Sequence, residues 1–154
     1  MQQLIKYTGS KRFQAKDIVK YIPKKGETYY ELFLGSGSIF YALLGGEYEY
    51  EKFVLNDINK DVIELHKYLL FGDLEEVLEE YDTHRLNLLK IGQSYYYEVR
   101  ENFNKYRLNS DYLFLNRNSA NGMIRYNKKN EFNFQYHSLD SITLILVLKQ
   151  IFKN

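Results

Sequence analysis

"TYYELFLGSGSIFYALL", residues 28–44, decides the fold. Thr28 to Leu34 are short, apolar and aromatic-rich, as a buried strand requires. Glycines at 35 and 37 interrupt the run, and "SIFYALL" then has the length and composition of a helix ending at Gly45-Gly46. "KFVLND" (52–57) is a second strand candidate. "NKDVIELHKYLL" (59–70) is helical, with Val62, Leu65, His66 and Leu69 on one face. His66 reads as a partly buried helix residue, because no catalytic partner is evident for it. Strand, glycine turn, helix, strand, helix is a βαβ unit, so the fold class is α/β with an open parallel sheet. Such sheets bind ligands at the carboxyl ends of their strands.

Outward from this core the pattern is mostly helical. Ala15, Ile18, Val19 and Ile22 form a stripe over 11–22 that Pro23 and Gly26 stop. "DLEEVLEEYD" (73–82) reads as a short, exposed, acidic helix whose apolar side is Leu74, Val77, Leu78 and Tyr81. Tyr95, Val99, Phe103 and Tyr106 make a stripe over 94–106, and "DYLFLN" continues helically. "MIRYN" and "EFNFQY" flank "KKN" as a β-hairpin or a structured loop. "SITLILVL" fits a buried strand or the middle of a helix, and periodicity does not arbitrate.

The 154 residues suffice for one domain with a proper core. With no Cys, disulfides and thiolate metal sites are excluded, and no metal site is expected. No signal peptide is visible, and the longest apolar run, Leu144 to Leu148, falls far short of the ~20 residues a bilayer span needs. A cytoplasmic protein without membrane contact is the expectation. The net charge is only +1, but the charges are segregated: 73–82 is acidic, while Lys6, Lys11, Arg12, Arg117, Arg125, Lys128 and Lys129 fall in two basic clusters. A balanced total does not exclude phosphate binding by one face.

Chemistry first becomes visible at "ELFLGSGSIF" (31–40). Gly35 and Gly37 allow backbone to approach a ligand, and the helix that follows offers unpaired N–H groups. Asp57 stands twenty residues beyond Gly37, at the end of the second strand, where an acid can accept both hydroxyls of a ribose. A nicotinamide fold wants a third small residue at position 40, and Phe40 stands there instead. An S-adenosylmethionine site wants an acid before the turn and F-x-G-x-G, which Glu31, Phe33, Gly35 and Gly37 supply.

"KYTGSKR" (6–12), "ELFLGSGSIF", "VLNDINKDVI" (54–63) and "LNRNSANGMIRYNKKNEFN" (115–133) together resemble Dam-type DNA adenine methyltransferases, in order and approximate spacing. The resemblance covers residues 4 to 137. It implies a partial Rossmann-like methyltransferase sheet with an inserted helical and hairpin target-recognition region. Residues 1–72 would be the cofactor-binding core, 73–137 the recognition region, and 138–154 a divergent segment that can rejoin the core. The implied cofactor is S-adenosylmethionine, held by Tyr7, Lys11, Phe33, Gly35, Gly37 and Asp57. The implied partner is double-stranded DNA, approached by Lys6 and read by Asn121, Met123 and Arg125; Arg117, Lys128 and Lys129 would serve phosphates or structure. Ala120 departs from the family, where many members carry an aromatic able to stack on a displaced base.

A second departure is larger. The family's catalytic signature is Asp or Asn followed by Pro-Pro and an aromatic, and the only proline of this sequence is Pro23. No residue here is therefore assigned a catalytic role, and no methyl transfer is expected from these residues alone. In the family's sheet the catalytic strand pairs with the first strand. That edge would here be open unless a second chain, a homodimer contact or residues 139–153 covered it.

Overall fold

The computed structural model describes residues 3–138. Two parallel strands, β1 (Lys25–Glu31) and β2 (Glu49–Leu55), pair from Lys25↔Glu49 to Glu31↔Leu55. A short helix α1 (Ala15–Ile18) runs into a 3-10 turn before β1, and α2 (Ser38–Leu44) crosses from β1 to β2. Four helices follow: α3 (Lys60–Phe71), α4 (Leu74–Ile91), α5 (Gln93–Tyr106) and α6 (Asn109–Asn118). The molecule is thus mixed α/β, with a βαβ unit joined to a helical cluster.

Caps explain where the long helices begin. Asn59 Oδ1 accepts from the N–H groups of Asp61 and Val62, and Asp73 Oδ1 from those of Glu75 and Glu76 at 2.8 and 3.1 Å. Val62, Leu65, His66 and Leu69 are the buried face of α3, as their spacing implies. His66 is buried outright rather than partly, at 2% exposure.

Several boundaries differ from the sequence reading. β1 ends at Glu31, because Leu32–Leu34 already turn toward the glycine loop, and the strand is largely exposed rather than buried. Among the described residues β1 pairs only with β2, leaving Tyr30 63% and Leu32 56% exposed. β2 likewise ends two residues early, so Asp57 lies on the loop beyond it. The stripe over 11–22 shortens to Ala15 and Val19 as its buried members. The segment at 73–82 is the start of an 18-residue helix: Val77, Tyr81 and Leu88 extend one apolar face beyond the acidic run. "DYLFLN" belongs to a separate helix, since Arg107 at φ 55 breaks the path after α5. The "KKN" segment is a loop held by two isolated antiparallel bridges, Ser119↔Tyr136 and Tyr126↔Phe132, rather than a hairpin ladder. "SITLILVL" and the expected 138–154 segment, except His137's neighbour Ser138, lie outside the described residues.

α6 is the centre of the structure. Residues 111–118 are all buried, so the helix is enclosed on every side. Its polar side chains must therefore find partners inside. His84 Nε2 lies 3.3 Å from Asp111 Oδ1 while its ring stacks on Phe114. Asn116 Oδ1 accepts from the Lys6 N–H at 2.9 Å, and its amide donates to the Lys6 carbonyl at 2.8 Å. Arg117 donates to the carbonyls of Gln3 and Leu4 at 2.9 and 2.8 Å. Asn116 and Arg117 of "NRN" thus grip the N-terminal segment's backbone, while the Asn118 amide donates to the Phe114 carbonyl at 2.7 Å.

Candidate cofactor and nucleic-acid site

Beyond β1 the chain makes a tight loop that only glycine tolerates at two points. Gly35 has φ 49 and Gly37 φ 67. A Cβ at Gly35 would press on the Tyr7 ring at 3.2 Å, and one at Gly37 would meet the His66 and Tyr41 rings at 2.9 Å. The loop is pinned from behind. Gly35 N–H donates to Asp57 Oδ2 at 2.8 Å, and the other Asp57 oxygen accepts from Asn59 N–H at 2.9 Å. The carbonyl of Gly35 lies 2.9 Å from His66 Nε2, and His66 Nδ1 lies 3.0 Å from the Tyr41 hydroxyl. A carbonyl only accepts, so Nε2 carries the proton and Nδ1 accepts from Tyr41. Burial lowers the His66 pKa, partly opposed by the Gly35 carbonyl and Asp57, and keeps the ring neutral.

On the open side, residues 7–11 fold over the glycine loop. The hydroxyls of Ser10, Ser36 and Ser38 form a closed triangle of contacts, 2.9, 2.9 and 2.7 Å. The two loops enclose a cavity of about 190 Å³ lined by Tyr7, Lys11, Glu31, Phe33, Gly35 and Ser36, among others. Phe33 is 91% exposed at its edge. Burial raises the Glu31 pKa, with the Tyr29 hydroxyl and the Phe40 backbone opposing it. Tyr7 is raised too, by burial first and then by Asp57.

The sequence-derived cofactor residues are thus brought together: Tyr7, Lys11, Phe33 and Gly35 line one cavity, and Gly37 and Asp57 brace its loop. Ile58 escaped the sequence reading. It is 98% exposed beside Asp57 and lines a second cleft, of about 540 Å³, with Lys60, Asp61, Arg107 and Tyr126. The signal was an apolar residue directly after the strand-end acid.

The residues expected at DNA are less concentrated. Lys6 and Met123 line a cleft of about 500 Å³ with Arg12, Ser119 and His137, and this cleft shares Tyr7 to Ser10 with the cofactor-side cavity. The Lys6 ammonium donates to the Arg117 carbonyl. Asn121 sits in the 3-10 turn Ala120–Gly122. Arg125 is exposed but outside that cleft, its Nε donating to Asn133 Oδ1 at 3.2 Å. Arg117 is structural, buried in the clasp on Gln3 and Leu4.

A glycine loop beyond β1, braced by Asp57 just past β2 and abutted by a polar cleft, is thus the most strongly built open feature of this α/β domain. Residues 7–143 match D12 class N6 adenine-specific DNA methyltransferases, and the chain belongs to that family. S-adenosylmethionine is the methyl donor of this class. The chain is 31% identical to the Type II methyltransferase M.MjaIII of Methanocaldococcus jannaschii, over 88% of its own length and 52% of that protein's. It is 33% identical to DNA adenine methylase of Escherichia coli, over 86% of its length and 46% of the methylase. The DNA N-6-adenine-methyltransferase of Escherichia phage P1 is 31% identical over 88% of the chain and 17% of that protein. The chain therefore spans about half the length of the first two. No helix among the described residues is long and apolar enough to cross a membrane.

Proposed function

We propose that this chain binds S-adenosylmethionine where β1 and β2 end, and double-stranded DNA through Lys6, Asn121, Met123 and Arg125, without transferring methyl groups unaided. The observation that carries the reading is the 2.8 Å bond from Gly35 N–H to Asp57, which joins the glycine turn to the acid expected at the ribose. The residues present fit the cofactor. The cavity of about 190 Å³ suits its amino-acid end, and the Glu31 carboxyl on the cavity wall would accept from its ammonium. The nucleoside would lie outside that cavity, its hydroxyls toward Asp57 and its base over Ile58. The bound cofactor would supply an electrophilic methyl group; Tyr7 and Phe33 would flank it and Lys11 would close the entrance.

Lys6, Asn121, Met123 and Arg125 are proposed to face DNA, with residues 1–72 serving the cofactor and 73–137 recognition. Arg125, exposed and bonded through its side chain to Asn133 among the described residues, can reach a guanine edge. The two strands would be part of a Rossmann-like methyltransferase sheet, in a compartment that holds DNA. Among the described residues β1 has no partner on its outer side, which leaves that side to a second polypeptide carrying the Pro-Pro motif, to a second copy or to residues 139–153. A regulatory module that binds one or both ligands without catalysis, or an inactive remnant, is the alternative.

Calorimetry tests the cofactor site. Charge-assisted hydrogen bonds contribute about 1.5–3 kcal/mol, so Asp57→Ala is expected to weaken S-adenosylmethionine binding at least ~10-fold. Equal affinity for wild type and variant would remove Asp57 from the site. Transfer of labelled methyl groups to DNA by the purified chain alone would refute the second part.

A further inference from the structure

Between the cofactor loop and the recognition segment runs an unbroken line of hydrogen bonds. Asp57 Oδ1 accepts from Asn59 N–H at 2.9 Å, and Asn59 Oδ1 accepts from Asp61 N–H at 3.1 Å. Asp61 Oδ2 then takes two donors at once, the Tyr126 hydroxyl at 2.6 Å and Arg107 at 3.0 Å. Arg107 also donates to the Asn130 carbonyl. Arg107 and Asn130, at φ 55 and 59, are the two non-glycine residues with positive φ among those described. Backbone strain, which costs of order 1–3 kcal/mol per residue, is therefore gathered around one carboxylate.

The position of that carboxylate explains why strain there matters. Asp61 lies in the first turn of α3, four residues beyond the acid of the cofactor loop. Tyr126 directly follows Arg125 and pairs across the loop with Phe132, while the Arg125 carbonyl accepts from Asn133 N–H at 3.0 Å. A displacement of Tyr126 accordingly moves the backbone that carries Arg125. Ile58, Lys60 and Asp61 form one wall of the 540 Å³ cleft, and Arg107, Tyr126 and Asn130 the other.

We propose that Asp61 is a positioning residue that couples the two sites: cofactor bound at Asp57 and Ile58 fixes the 57–61 turn, and Asp61 passes that order through Tyr126 and Arg107 to the DNA-facing segment. The proposal rests on the cofactor and DNA reading above. It requires a reciprocal coupling, DNA tightening cofactor binding by the factor that cofactor tightens DNA binding.

The test titrates S-adenosylmethionine into the full chain by calorimetry, with and without saturating PCR-amplified, unmethylated plasmid DNA, which contains every short target site. Wild type is expected to bind the cofactor at least ~5-fold more tightly with DNA, the lower end of ordinary coupling. Tyr126→Phe, which removes one oxygen, and Asp61→Asn should each bring the ratio close to one, while cofactor affinity without DNA stays within about twofold. A wild-type ratio of one, a ratio retained in both variants, or a ratio lost only in a variant whose thermal midpoint has collapsed overturns the coupling while leaving the cofactor site intact. Failure of the wild type to bind S-adenosylmethionine at all overturns the underlying reading instead, and the proposal with it.

Discussion

Gly122 shows how one missing methylene governs the site. Its φ is 64, and a Cβ there would collide with the Lys6 side chain and stand 2.7 Å from its carbonyl carbon. Gly9 has a similar φ, 78, with nothing within 4 Å of its would-be Cβ. Gly9→Ala should therefore cost only the left-handed conformation, about 1 kcal/mol, and Gly122→Ala about 3 kcal/mol or more through added overpacking. Urea denaturation of the two variants checks the difference. His66 supplies a prediction in pH. Its folded pKa is lowered by burial, so the unfolded chain binds the proton more readily. Its stability contribution is then complete above the ordinary histidine value of 6.5 and declines as pH falls below it. Urea midpoints measured from pH 7.5 down to pH 5.5 should fall more steeply for wild type than for His66→Gln.

At the scale of elements, the clasp between α6 and the N-terminal segment has the greatest effect. Arg117→Ala removes a buried charged donor from two carbonyls and leaves a cavity, so a loss of about 3 kcal/mol is expected by urea denaturation. The DNA affinity of the folded fraction should stay unchanged, which separates this arginine from Arg125. The same elements show what was legible in sequence. The βαβ order and the α3 face were legible, because apolar spacing and glycine turns are local signals. The end of β1 was not: Leu32 and Phe33 are apolar like a strand, yet they turn into the glycine loop and remain exposed, which no local pattern announces. The length of α4 was hidden because the polar residues 82–85 separate the acidic run from Leu88, about two turns beyond Tyr81. Within the site, glycines and acid could be read from spacing. Asn116 and Arg117 could not, because whether a planar side chain meets a base or a backbone depends on tertiary placement, and here it meets backbone 110 or more residues away.

At the scale of the whole molecule the outer edges of β1 and β2 both lack a partner among the described residues, and Tyr30 lies on β1. Self-association through the β1 edge should rise with concentration and fall in Tyr30→Lys, since edge lysines oppose strand pairing. Sedimentation velocity across a concentration series measures this, and a strictly monomeric wild type would count against the open edge. The clasp has a further consequence for biosynthesis. The backbone of Gln3, Leu4 and Lys6 is held by the side chains of Asn116 and Arg117, near the far end of the described chain. A ribosome adds about 5–20 residues per second, so this segment waits seconds for its anchor. The loop bearing Tyr7 and Lys11, although made before α6, would be the last wall of the ligand cavity to settle.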